Sequence, residues 1–187
     1  MNLILYNLGW MSWNILLALI SMLLGKLSLR IKPKVLHFLF TLVFLLFIPN
    51  TVYIVTDLAH LFQRWNTVDT LIKVLLLVQY LLFVPIGFIT FISSLRLLKM
   101  NLVQNYTKFS HTGSIFLLNF LIAFGVVIGR VQRANSWEVV TRPLLIIKNV
   151  QTTLKNPDLI LYVLVLGVFC NLLYFAVEKR TGVGERT

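Results

Sequence analysis

The chain has 187 residues, 58% of them hydrophobic and 12% charged, with a formal net charge of +11. A mean hydropathy of +0.87 lies far from the balance of a water-soluble domain, so a soluble enzyme or binding module is excluded and an integral membrane protein is expected. The basic surplus could point to nucleic acid, but it sits in short segments beside apolar runs, without an aromatic-basic recognition module, and no nucleic-acid partner is expected.

A helix needs about 20 mostly apolar residues to cross the hydrocarbon. Five runs qualify: 3–24, 35–55 with an interruption at 49–50, 71–95, 110–128 and 159–177. They are long and continuously apolar, whereas a β-barrel needs short alternating strands, so the predicted fold is an all-α polytopic bundle forming one domain over 1–187. The first run starts Met1-Asn2-Leu3, with no basic residue before it and no small-residue cleavage pattern after it, and reads as a retained span.

The second run carries the sharpest local signal. Pro49 lacks an amide hydrogen, so the carbonyl near Leu45 loses its helical partner, while Asn50 can bond to freed backbone. Such a break fits either a binding site, as in transporters, or a plain kink. A helix resuming after it would set Asp57, His60 and Arg64 at i, i+3 and i+7, on one face.

In the third run Pro85-Ile86-Gly87 reads as a kink. The fourth leads into Arg130, Arg133 and Trp137, which have the same helical spacing, followed by Glu138. An Asp57 ion pair with Arg130 or Arg133 would be the simplest way to keep these charges at membrane depth, with a solvated structural salt bridge as the alternative. Residues 144–154, after Pro143, have apolar positions 147, 150 and 154 at helical spacing and end at Asn156-Pro157. They read as an amphipathic helix, either lying in the membrane interface or packed on the bundle. Asn14, Gln79, Asn119 and Asn171 fall inside spans, where hydrogen bonding between helices is their expected role. Cys170, the lone cysteine, reads as a small buried hydrophobe. His37 and His111, near span starts, read as interfacial anchors.

Charge sets the expected orientation. Lys26, Arg30, Lys32, Lys34, Arg96, Lys99, Lys108, Lys179, Arg180 and Arg186 collect on one side, against Arg64, Lys73, Arg130, Arg133, Arg142, Lys148 and Lys155 on the other. The positive-inside rule makes the richer side cytoplasmic, with the N-terminus outside and the C-terminus inside. Asp57 and the 130–155 segment then lie outside.

Asp57 and His60, with Glu138 or His111, could offer metal ligands, but there is no HExxH, paired Glu-x-x-His or cysteine set, and nearby arginines repel cations. No metal or cofactor is expected. GxSxG, SxxK and Walker-type loops are also missing from the sequence, so no catalytic residue is assigned.

Three blocks carry a resemblance: WNILLALI from Trp13, PNTVYIVTDLAHL over 49–61, and GRVQRANSWEVVTRP over 129–143. Together they resemble the uncharacterised bacterial membrane-protein family called domain of unknown function 1361. The resemblance implies a small multi-pass inner-membrane protein without an assigned activity. It places Asn14, Pro49, Asn50, Tyr53, Asp57, Arg130, Asn135, Ser136 and Trp137 at motif positions, with Glu138 where an aspartate is expected and Ala134 where an aromatic is usual.

The leading expectation is binding or transport of a small anionic solute or lipid headgroup in an extracytoplasmic polar pocket. Its residues are Pro49, Asn50, Tyr53, Asp57, His60, Arg64, Arg130, Arg133, Asn135, Ser136, Trp137 and Glu138. The lipid bilayer is the expected partner. The alternatives are a structural or accessory subunit of a membrane complex, and a membrane enzyme acting on lipid-linked or envelope substrates, with Asp57 or His60 as base.

Overall fold

The computed structural model describes residues 2–105 and 111–181. Lys108, Ser110 and Arg186, used above for topology and a span boundary, lie outside the described residues, as do the side chains of His111 and Arg180. The described chain is helical almost throughout and contains no strand. Its helices are α1 (Asn2–Arg30), α2 (Lys34–Phe47), α3 (Pro49–Thr56), α4 (Leu58–Arg64), α5 (Thr70–Asn105), α6 (His111–Val131), α7 (Glu138–Thr141), α8 (Pro143–Lys155) and α9 (Pro157–Thr181).

Among the described residues five helical stretches are long and apolar enough to cross a membrane: Leu3–Arg30, Lys34–Thr67, Thr70–Leu102, Gly113–Val131 and Pro157–Lys179. This is the build of a multi-pass membrane protein. The helices overrun several predicted spans, because helical geometry continues through the polar flanks that apolarity alone leaves out. Many leucines, such as Leu19 and Leu23 on α1 and Leu161 and Leu172 on α9, are exposed. An isolated soluble chain would hide such a surface, whereas a hydrocarbon solvent favours it.

The chain divides into two compact units, Met1–Leu97 and Leu98–Thr187. In the first, α1 packs antiparallel on α2 and α3. Gly25 permits the close approach: a Cβ there would stand 2.7 Å from the Phe44 ring. At one end of this pair His37 is buried and its Nδ1 donates to the Ser28 carbonyl, 2.9 Å away. The expected interfacial anchor is therefore a staple between the end of α1 and α2: the Ser28 carbonyl, in the last turn of α1, accepts from the His37 ring beside the Ile31 amide at 3.2 Å. Met11, Leu61, Leu76 and Tyr80 form a buried cluster with Trp10 and Trp65 packed against it. Gln79 Nε2 donates to the Ile4 carbonyl at 3.3 Å.

The proline break is narrower than an unwound loop. Ile48 keeps helical dihedrals (φ −55°, ψ −40°). The Thr51 amide bonds the Ile48 carbonyl at 2.9 Å, one residue short of the α-helical pattern. The Asn50 side chain then donates to the Phe47 carbonyl at 2.9 Å, in the role its amide was expected to take. Pro85 stands inside continuous α5, and Gly87 lets Ile54 approach, a Cβ there being 2.8 Å from Ile54 Cβ.

In the second unit α6 and α9 run antiparallel. Asn119 Nδ2 donates to Asn171 Oδ1 at 2.9 Å, and Asn171 Nδ2 donates to the Phe116 and Gly167 carbonyls at 3.2 and 2.9 Å. The Phe120 ring fills the place a side chain at Gly167 would need. Lys99 and Glu178 form an ion pair of 2.6 Å, joining the end of α5 to the end of α9. Cys170 is fully buried, as a small hydrophobe would be.

Candidate functional site

Asp57 sits where α3 gives way to α4. Its amide bonds the Tyr53 carbonyl at 2.9 Å, and its own carbonyl accepts from the His60 amide at 2.9 Å, so the helix tightens there to a three-residue turn. Thr56 Oγ1 also donates to the Tyr53 carbonyl, at 3.0 Å. Pro49, Asn50 and Asp57 are buried, and Asp57 is only 1% exposed. A carboxyl group at such a place requires donors, and Asn14 Nδ2 supplies one at 2.9 Å to Asp57 Oδ2. Asn14 was expected to bond another helix. That its partner would be Asp57, 43 residues away, has no local sign in the sequence.

His60 meets α1 one turn from this pair. Its ring stands edge-on to Trp10, with centroids 5.8 Å apart, and Nδ1 lies 3.3 Å from Gln63 Oε1. Trp10 Nε1 in turn donates to Asn7 Oδ1 at 3.2 Å. The i, i+3 relation of Asp57 and His60 thus survives the shortened turn, but Asp57 is buried while His60 and Arg64 are exposed. The expected acid, imidazole and guanidinium face is a buried acid with an exposed rim. Leu58 and Leu61 line, with Tyr80, Val84, Pro85 and Phe88 among others, an apolar groove of about 450 Å³ in the same unit.

In the second unit the predicted helical face of Arg130, Arg133 and Trp137 does not form, because α6 stops at Val131. Arg130 is the penultimate residue of the helix, half-buried. Arg133 follows in left-handed backbone with φ 54°, exposed, where glycine or asparagine would be at ease. The reversal brings the Ala134 amide back to the Ile128 carbonyl at 3.5 Å.

Glu138 closes the turn. Its Oε2 accepts from the Asn135 amide at 2.7 Å, the carboxylate half of a capping box, while its own amide donates to the Asn135 main-chain carbonyl at 2.9 Å. Oε1 lies 3.6 Å from Arg142 Nη1. Glu138 was expected as a ligand residue; its carboxylate is engaged in holding the turn. Asn135 and Trp137 are exposed and Ser136 is half-buried. Among the described residues no group of three or more His, Cys, Asp or Glu side chains could hold a metal ion.

The family model described as protein of unknown function (DUF1361) matches residues 13–173. The chain belongs to this family. The match extends from Trp13 to Leu173 and so takes in Asn14, the α3 to α4 junction and the Arg133 turn. No curated protein and no solved structure matches the chain. For this DUF1361 protein, chemistry must be read from the two polar centres themselves.

Proposed function

We propose that this protein binds a small anionic solute or a phospholipid headgroup, or carries it across a bacterial inner membrane, and that the ligand is met on the extracytoplasmic side. The carrying observation is the turn after α6, where Arg133 stands exposed in left-handed backbone between Arg130 and Trp137 in sequence. A guanidinium offers a planar fork of donors suited to carboxylate and phosphate. Keeping a non-glycine residue in this conformation costs about 1 kcal/mol, and such strain collects where a side chain has work to do.

The first unit, taken by itself, carries a second feature found in membrane carriers. Its Asp57 centre lies at a helix discontinuity, the kind of interruption around which membrane carriers build binding sites. The groove that begins at Leu58 has the apolar lining an acyl chain requires. A thermal-shift screen of the purified protein against anionic solutes and glycerophosphate headgroups tests the reading. A rise in the unfolding midpoint with one of them is expected, and a flat response across the panel contradicts it.

A structural or accessory role is the second reading, favoured by the direct Asn14 to Asp57 bond, which can serve as a helix lock alone. Copurification of a stoichiometric partner, with Asp57→Asn lowering only the yield, would favour this role.

A further inference from the structure

We propose that α8 is an in-plane helix of the membrane interface and that Lys148 and Lys155 dock it on anionic lipid headgroups. Its packing is inverted relative to a helix on a soluble core. The buried positions are polar, Asn149 and Thr153, while Leu144, Ile147 and Leu154 are 81%, 53% and 59% exposed. In water this arrangement would waste the apolar side, and with lipid outside it is the favourable one.

The position of α8 follows from its anchors. Gln132, the first residue past the end of α6, donates through Nε2 to Thr153 Oγ1 at 2.9 Å. Two residues after Lys155 the chain enters the last long apolar helix at Pro157, with Asn156 Oδ1 accepting from the Asp158 amide at 2.9 Å. The C-terminal half of α8 is thereby pinned level with the ends of two candidate spans, where hydrocarbon gives way to headgroups. Trp137, 42% exposed in the preceding turn, has the preference for that level shown by interfacial aromatic residues.

At about 100° per residue the helix divides into three sectors of roughly a third of the circumference each. Asn149 and Thr153 face the unit, Ile147, Val150 and Leu154 turn to one side, and Lys148 and Lys155 turn to the other. Leu144, in the first turn, falls outside the apolar sector. Lying in the interface lets the apolar sector enter the acyl boundary while both ammonium groups stay among phosphates. Arg142, exposed just before the helix, has its charge offset by Glu138, so the headgroup contact rests on the two lysines.

The test uses the full-length protein in nanodiscs containing phosphatidylglycerol and phosphatidylcholine. Ile147→Cys, Leu154→Cys, Lys148→Cys and Lys155→Cys each carry a fluorophore, and the unsubstituted protein gives the background from buried Cys170. Labels at 147 and 154 should be quenched by brominated acyl chains, and those at 148 and 155 by aqueous iodide. Equal iodide quenching at all four positions overturns the proposal. Shielding of 147 and 154 from both quenchers, as a protein partner would produce, overturns it too. Spin-labelled phosphatidylglycerol should associate in preference to phosphatidylcholine, and Lys148→Gln with Lys155→Gln should weaken that preference up to about fivefold per lysine. An unchanged preference in the double variant overturns the assignment of the headgroup contact.

Discussion

Asn14 and Asp57 are hydrogen-bonded at 2.9 Å across 43 residues of chain, joining the middle of α1 to the junction of α3 and α4. Replacing Asn14 by leucine leaves a buried carboxyl group short of a donor. Asp57→Asn keeps a group that can still accept from Asn14. Hydrogen bonds between helices in membrane proteins are typically worth about 0.6 kcal/mol, reaching about 1.7, and taking one donor from a buried carboxyl group adds part of a desolvation cost of about 1–3 kcal/mol. Asn14→Leu should therefore destabilise the protein by about 1–2 kcal/mol and Asp57→Asn by less. Unfolding midpoints of the two variants in one detergent check the order.

The three close glycine contacts give a second prediction, with a control in the same chain. A methyl group at Gly167 would strike the Phe120 ring, whereas the Cβ position at Gly9 has nothing within 4 Å. Gly167→Ala should cost about 1–3 kcal/mol through overpacking, and Phe120→Leu in the same chain should recover part of it. Gly9→Ala, in open space on α1, should be neutral or stabilising by up to about 1 kcal/mol. Thermal unfolding of the four proteins decides it.

Much of this fold was legible because membrane helices declare themselves by length and apolarity. Asparagines inside spans could be read as partners of other helices, since hydrocarbon offers them no water; Asn14, Asn119 and Asn171 have such partners. That Asn50 bonds freed backbone was legible from the proline, but the carbonyl it takes is that of Phe47, released where the Thr51 amide turns to Ile48, and not the one near Leu45. The unreadable parts depend on tertiary context or on a turn without a sequence mark. His37 near a span start looks like an anchor until the Ser28 carbonyl comes within reach. Helical spacing carried Arg130, Arg133 and Trp137 onto one face because no glycine or proline directly follows Val131 to announce the stop. An arginine in left-handed backbone gives no warning, and the Glu138 to Asn135 cap that fixes the turn is a short pattern recognisable only once the helix end is known.

Lys99 and Glu178 should show the behaviour of a partly exposed ion pair, their side chains being 30% and 17% exposed. Glu178→Gln is expected to cost no more than about 1 kcal/mol, and added salt should reduce the difference from the parent protein. The double variant Lys99→Glu, Glu178→Lys should regain most of the loss. Unfolding midpoints at low and high salt provide the check.

Arg133→Gly separates the fold from the proposed function. Glycine accepts the left-handed conformation without Cβ strain, offset by its greater freedom in the unfolded chain, so stability should be unchanged or higher by up to about 1 kcal/mol. The same change removes an exposed guanidinium, so any stabilisation by an anionic ligand should fall. Loss of stability without loss of the ligand response would reverse the assignment and make Arg133 a structural residue.

The most direct measurement is the thermal-shift response of the Arg130→Ala, Arg133→Ala double variant to whichever anionic solute or headgroup stabilises the wild-type protein. The account predicts a folded variant whose midpoint no longer moves with that ligand. A shift as large as that of the wild type would contradict the assignment of the anion to this turn.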